Sequence, residues 1–88
     1  MPLNDRPLSE RDRLILDFEA LWTRHGSAKE EAIRLRLGMS PGRYYQLLTR
    51  LIDTTEAQEY DPMLVKRLRR IRDARVRARV IRTAATGR

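Results

Sequence analysis

Cysteine is absent from the 88 residues, and histidine occurs once, as His25. Without cysteine there are no disulfide bonds and no thiolate ligands, and a lone histidine lacks partners at a spacing that would hold a metal. The longest run of large aliphatic residues has three members, whereas a membrane-spanning helix needs about 20 apolar residues. The opening residues MPLNDRP also lack the apolar stretch of a signal peptide. We therefore expect a soluble, cytoplasmic protein without metal or membrane contact.

Patterns that carry catalysis are missing as well. The sequence has no phosphate-binding glycine loop, no nucleophile with a plausible base and no carboxylate pair in an apolar setting. We therefore expect no enzymatic activity, no cofactor and no small-molecule substrate. The acidic residues of the first two helices are expected on solvated faces: Asp12, Asp17, Glu19, Glu30 and Glu31.

Glycine and proline are scarce, at four residues each, and neither strand patterns nor internal repeats are visible. The predicted fold class is all-α, with a helix-turn-helix-containing three-helix unit followed by a long basic C-terminal helix. The expected parts are a flexible N-terminal arm (1–8), the three-helix unit (9–53), a polar connector (54–60), an arginine-rich helix (61–82) and a flexible tail (83–88). One helical turn within the connector is left open.

Capping residues mark the first two helices. Ser9 is a suitable N-cap, and apolar residues then recur at three- and four-residue spacing, which predicts a helix from about residue 10 to 24. Ser27 and Glu30 have the form of a capping box, so a second helix is expected from Ser27 to about Leu37. The apolar positions of the first helix are Leu14, Ile15, Phe18, Leu21 and Trp22. Of these, Phe18 and Trp22 are expected to be core residues.

Proline marks the start of the other two helices. Ser40-Pro41 and Asp61-Pro62 each place an N-cap before a proline at the first helical position. The third helix is predicted from Pro41 to about Asp53. The fourth carries an apolar stripe that weakens from leucine to alanine, so we expect its far half to project from the core.

The second and third helices form a helix-turn-helix pattern over residues 27–53. In many bacterial DNA-binding domains a glycine follows the first helix of the pair, an apolar residue follows it, and a serine opens the recognition helix, as Gly38, Met39 and Ser40 do here. Four residues before the glycine such motifs usually hold alanine, because the helices touch there, but this chain has Arg34. Either the two helices cross at a wider distance or their register differs.

The third helix is therefore a candidate recognition helix. Arginine and glutamine can pair bidentately with guanine and adenine in the major groove, and the N-terminal part of such a helix meets the bases. The alternatives are an ordinary polar surface and a protein-interaction module. The candidate DNA-binding residues are Arg43, Tyr45, Gln46, Thr49 and Arg50.

Positive charge is concentrated in the last third of the chain. Residues 1–60 carry nine Arg/Lys against ten Asp/Glu, a net of −1, whereas residues 61–88 carry ten against two, a net of +8. Like charges on one helix repel each other unless a polyanion relieves them. The alternative is a solvated tail without a partner. The candidate phosphate-binding residues are Lys66, Arg67, Arg69, Arg70, Arg72, Arg75, Arg77, Arg79 and Arg82.

Several short segments within residues 9–82 resemble a family of short actinobacterial proteins catalogued as a domain of unknown function. The resemblance implies a nucleoid-associated protein, because mycobacterial members are regarded as such, with DNA compaction or bridging and a regulatory role at promoters. The segments are Pro41-Gly42-Arg43-Tyr44-Tyr45-Gln46, Leu51-Ile52-Asp53, Asp61-Pro62 and Leu68-Arg69-Arg70.

The leading hypothesis is a nucleoid-associated or architectural protein that binds double-stranded DNA mostly through the phosphate backbone. A preference for AT-rich DNA is left open. Phosphate contacts carry no sequence information by themselves. The alternatives are an adaptor whose basic helix docks on an acidic protein, and an RNA- or ribosome-associated protein. A homodimer paired along the apolar seam of the fourth helix is left open.

Overall fold

The computed structural model describes residues 7–22, 24 and 26–86. Most of the expected arm (residues 1–6) and the end of the expected tail (87–88) lie outside the described residues, as does His25. The described part is entirely helical apart from turns and caps, which confirms the all-α class and the long C-terminal helix. Its helices are α1 (Glu10–Leu21), α2 (Ser27–Ala32, continued by a π-helical turn, Ile33–Leu37), α3 (Pro41–Leu51), α4 (Thr55–Tyr60) and α5 (Pro62–Thr86).

A capping box starts α1. The Asp12 N–H donates to the Ser9 hydroxyl at 3.0 Å, and the Ser9 N–H donates to the Asp12 carboxylate at 3.1 Å. The helix ends at Leu21, three residues before the predicted end at 24. Trp22 leaves it with extended backbone, and its ring stacks on Phe18 at 5.7 Å between centroids. Beyond this earlier end, Lys29 of α2 contacts Glu19 of α1 at 2.8 Å.

The capping box predicted at Ser27 and Glu30 is wrong. Gly26 is the N-cap residue, with φ of 148°, and no side chain caps the helix. Because Ser27 is itself the first helical residue, its hydroxyl stands one position too late to accept the N–H that a capping box requires.

The α2 helix resolves the question that Arg34 raised. Ile33 is fully buried, whereas the Arg34 side chain is exposed and lies 3.7 Å from Glu31. The inward position is therefore one residue earlier than in the usual motif, and the helix continues from Ile33 as a π-helical turn, a feature that accommodates an extra residue. Of the two alternatives, a different register agrees with the structure.

Three residues connect this turn to α3. Gly38 has φ of 65°, the left-handed conformation that commonly ends a helix. The Ser40 hydroxyl then accepts the Arg43 N–H at 3.2 Å, and Pro41 occupies the first turn, as predicted. The α3 helix ends at Leu51, slightly before the predicted end.

The segment expected to be a polar connector, residues 54–60, contains α4. The Thr54 hydroxyl accepts the Ala57 N–H at 3.1 Å and starts the helix, and Ala57 is fully buried. Tyr60 at its end donates to the Asp17 carboxylate at 2.9 Å. The apolar pattern did not define this helix, because neither the Thr54 cap nor the burial of Ala57 appears in such a pattern.

The core lies among α1, α2, α3, α4 and the beginning of α5. Tyr44 is at its centre, fully buried, with Phe18 edge-on at 5.6 Å. As predicted, the far half of α5 projects: its residues from 73 to 84 are exposed. The α5 helix continues to Thr86, beyond its expected end at 82, because no glycine or proline occurs before Gly87. No helix in the described part is long and apolar enough to cross a membrane.

Candidate nucleic-acid interface

The first turn of α5 fixes the basic helix to the core. The Asp61 carboxylate accepts the Leu64 N–H at 3.2 Å, and the Asp61 carbonyl accepts the Val65 N–H at 3.1 Å. Leu64 and Val65 are buried at 3% and 0% exposure. The capped, buried turn therefore sets the direction in which the remaining residues of α5 extend.

Arg69 is one of two predicted phosphate-binding arginines that the fold itself uses. Its Nε donates to the carbonyl oxygen of Ile52 at 2.5 Å, and its Nη1 lies 3.4 Å from Gln58 Oε1. The side chain is half-buried. Because it satisfies a carbonyl at the end of α3, Arg69 ties that helix to α5.

Arg72 is the second such arginine. Its Nη1 donates to both carboxylate oxygens of Asp53, at 2.9 and 3.0 Å, and its Nε lies 3.3 Å from Asp73. The hydrogen bond to Asp53 raises the pKa of the Arg72 guanidinium above its ordinary value. Two carboxylates already offset its charge, so Arg72 is less available to an external anion than a solvated arginine.

The other seven predicted cations of α5 are exposed. After the first turn, Asp73 is the one acidic residue in this helix, and it is bonded to Arg72. The surface of α5 is therefore strongly positive along its length. These seven residues are Lys66, Arg67, Arg70, Arg75, Arg77, Arg79 and Arg82.

The predicted recognition residues on α3 fall into two stripes. Arg43, Gln46 and Arg50 are exposed and lie at spacings of three and four residues, so they share one stripe. Tyr45 and Thr49 form the neighbouring stripe, which faces α5. The fold thus presents three of the five side chains to solvent on one side of α3 and directs the other two toward the basic helix.

Tyr45 is more enclosed than the sequence indicates. It is half-buried, with its ring edge-on to Tyr44 at 4.9 Å, and Lys29 Nζ lies 5.3 Å from the ring centroid. The Thr49 hydroxyl donates to the Tyr45 carbonyl at 2.7 Å. Much of the Tyr45 ring is therefore packed within the protein, and its neighbour Thr49 has already used its donor.

A groove of about 260 Å³ runs between α3 and α5. Its lining combines aliphatic side chains with guanidinium groups, and Glu19, Tyr45 and Thr49 complete it. The aliphatic residues are Leu48, Ile52, Leu68, Ile71 and Val76, and the arginines are Arg67, Arg72, Arg75 and Arg79.

Glu19 and Lys29 were missed by sequence reasoning. Glu19 was expected on a solvated face, but it is 4% exposed, and Lys29 is 1% exposed. Glu19 Oε1 accepts from Lys29 Nζ at 2.8 Å and from the Tyr44 hydroxyl at 2.5 Å. Burial and the hydrogen bond to Glu19 raise the pKa of Tyr44 well above its ordinary value. Glu19 follows Ile15 by four residues on the apolar stripe of α1, and this position was the signal for its burial.

Metal-ligating side chains do not converge in the described part of the chain, where no three His, Cys, Asp or Glu residues form a group that could hold an ion. The chemistry that the arrangement offers is electrostatic, with guanidinium donors beside an apolar groove. Such donors suit anions that present several oxygen atoms.

The fold and the basic surface define a small all-helical protein with a long, arginine-rich terminal helix. The family described as Protein of unknown function (DUF3263) matches residues 7–80. The chain belongs to this family. Neither a curated protein nor a solved structure matches it.

Proposed function

We propose that this chain is a DNA-binding protein of the nucleoid-associated or architectural kind, which holds the phosphate backbone with α5. The observation that carries the proposal is the set of seven exposed cations on α5. Asp73, the one acidic residue of this helix, is already paired with Arg72. The resemblance to actinobacterial proteins with nucleoid-associated members supports DNA over RNA, and a place in the nucleoid.

A polyanion would relieve the repulsion among the cations of α5. Seven like charges on one helix repel each other at the spacings of three and four residues that join many of them. A duplex supplies phosphates along its length, and each phosphate neutralised releases condensed counterions. If all seven cations contact phosphates, log affinity falls with log salt at a slope of about −6.

The second element of the proposal is a helix-turn-helix made of α2 and α3. The turn at Gly38 and Ser40 directs α3 so that Arg43, Gln46 and Arg50 are exposed on one stripe. We infer that this stripe faces the major groove, where arginine and glutamine can read purine edges. The proposed complex therefore combines strong backbone binding with a modest sequence preference.

Fluorescence anisotropy tests the proposal with equal-length AT-rich DNA, GC-rich DNA and double-stranded RNA, titrated from low to physiological salt. The control is the full chain with Arg75, Arg77, Arg79 and Arg82 changed to glutamine, since these exposed residues lie outside the core. We expect tight DNA binding, a steep salt slope and a large loss in the control. No DNA binding below the micromolar range at physiological salt contradicts the proposal, and stronger binding to RNA favours an RNA-associated protein.

One observation favours a second candidate, an adaptor for an acidic protein. Val80 and Ile81 on α5 are 60% and 67% exposed, and both stand among the arginines. Phosphates do not need such apolar side chains, whereas an acidic protein helix could cover them. If the chain is such an adaptor, Val80→Ser/Ile81→Ser should weaken binding to the acidic protein; in a DNA-binding protein the same change should leave DNA binding unaffected. Pairing of two copies along α5 stays a prediction, which sedimentation equilibrium checks.

A further inference from the structure

The exposed cations of α5 fall on different sides of the helix. Three of them, Arg67, Arg75 and Arg79, line the groove between α3 and α5. Within the described residues, neither Arg75 nor Arg79 has a hydrogen-bonding or ionic partner. They follow Leu68 at helical spacing, so they continue the side of α5 that packs against the core. Arg70 and Arg77, seven residues apart, lie on the opposite, outer side of the helix and do not line the groove.

We propose that the groove holds one strand of a DNA duplex, with its phosphates on Arg75 and Arg79; this inference rests on the DNA-binding function proposed above. A sugar–phosphate strand is amphipathic, because it alternates anionic phosphates with deoxyribose carbons. The groove has matching chemistry, since Ile71 and Val76 lie among the arginines of its lining. A strand seated there also lies beside Thr49 of α3, which brings the recognition helix to the same duplex.

The groove should attract phosphates more strongly than the outer side of α5. A cleft lined by charge of one sign, with walls of low dielectric constant, concentrates its field and attracts a counter-ion more strongly than the same charges on an open surface. Glu19 is the acidic lining residue, and Lys29 Nζ at 2.8 Å offsets its charge. Arg72 is held by Asp53 at 2.9 Å, whereas Arg75 and Arg79, further along α5, stay open to the phosphates.

The test compares two double variants of equal net charge in the full chain. Arg75→Gln/Arg79→Gln removes the groove pair, and Arg70→Gln/Arg77→Gln removes the outer pair. At about 0.1 M salt we expect the groove variant to lose about tenfold in affinity per lost contact, and about two units of salt slope. The affinity loss of the outer variant should be several-fold smaller. Equal losses, or a larger loss from the outer pair, overturn the inference.

A second comparison leaves the charge unchanged. Val76 lines the groove and is 46% exposed, whereas Val80, four residues further on the same helix, is 60% exposed and outside it. Val76→Trp fills the groove and should weaken duplex binding at least several-fold, whereas Val80→Trp should have little effect. Equal effects of the two tryptophans also overturn the inference. If the unaltered chain binds no duplex, the proposed function fails; if it binds but either comparison gives equal effects, the groove assignment alone fails.

Discussion

Lys29 in α2 donates to Glu19 in α1 at 2.8 Å, and the two side chains are 1% and 6% exposed. The same carboxylate oxygen accepts the hydroxyl of Tyr44 in α3 at 2.5 Å. One oxygen atom thus joins three helices, and this contact fixes the position of α3 relative to the other two. A buried charge is costly without its partner, so the network disfavours other arrangements of these helices.

Breaking this pair should destabilise the protein more than replacing it. Lys29→Met leaves Glu19 buried without its countercharge, which costs about 3–5 kcal/mol. Adding Glu19→Gln removes the orphaned charge and keeps an acceptor for Tyr44, so the double variant should recover part of the loss. Urea unfolding measures the free energies. A double variant no more stable than Lys29→Met contradicts the prediction.

The free energy of unfolding should decline at alkaline pH, because Tyr44 keeps its proton in the folded protein more strongly than in the unfolded chain. Its pKa in the folded protein is raised above the value of about 10 in the unfolded chain. Its contribution is therefore fully present below pH of about 10 and is lost as pH rises further, at about 1.4 kcal/mol per pH unit while the folded protein keeps the proton. Thermal unfolding between neutral and strongly alkaline pH measures the decline. Tyr44→Phe lacks this proton and should decline less steeply; parallel curves for the two proteins contradict the assignment.

The ion pair between Arg72 and Asp53 should contribute to the docking of α5. Arg72→Gln removes two hydrogen bonds to Asp53, so we expect a lower melting temperature. The matched control is Arg77→Gln, which removes the same charge from an exposed site and should leave the melting temperature unchanged. The pair is partly solvated, so high salt should reduce the difference. Equal melting temperatures for the two variants at low salt argue against this role.

Substitution of Gly38 should destabilise the protein because of its backbone conformation. Its φ of 65° is unfavourable for residues with a side chain, although a Cβ would meet nothing within 4 Å. Gly38→Ala should therefore cost about 1–2 kcal/mol of stability through backbone strain, and Gly38→Asn less, since asparagine tolerates this conformation better. Gly42 in α3 is the control, since it has no positive φ and Gly42→Ala should be neutral or stabilising. Equal effects at the two glycines contradict the strain argument.

Gln46 should affect sequence preference more than overall affinity. If it contacts a base edge, Gln46→Ala reduces discrimination at one base-pair position by about 1–3 kcal/mol. Arg75→Gln, in contrast, should weaken binding to all duplexes by similar factors, because phosphates carry no sequence information. Competition binding with a panel of single-base duplex variants measures both. A uniform loss with Gln46→Ala points to backbone contact by α3.

Much of the fold follows from local patterns. Ser9, Ser40 and Asp61 mark helix starts that the structure confirms, because a capping side chain bonds to an N–H only a few residues away. The helix α4, where the sequence left only one helical turn open, shows the limit of the apolar pattern, since six residues with one buried alanine give little periodicity. The early end of α1 was not predicted, because the apolar stripe continues through Trp22, where the backbone is already extended.

The candidate site divides in the same way. The sequence by itself determined that the positive charge is on one long helix, because composition and periodicity are properties of consecutive residues. Only the tertiary structure decided that Arg69 and Arg72 are bound to the end of α3 while Arg75 and Arg79 line a groove. It likewise decided that Glu19 is buried with Lys29, ten residues away. Such pairings join residues on different helices, and their energies depend on how the helices pack. The spacing of residues along one helix does not predict this packing.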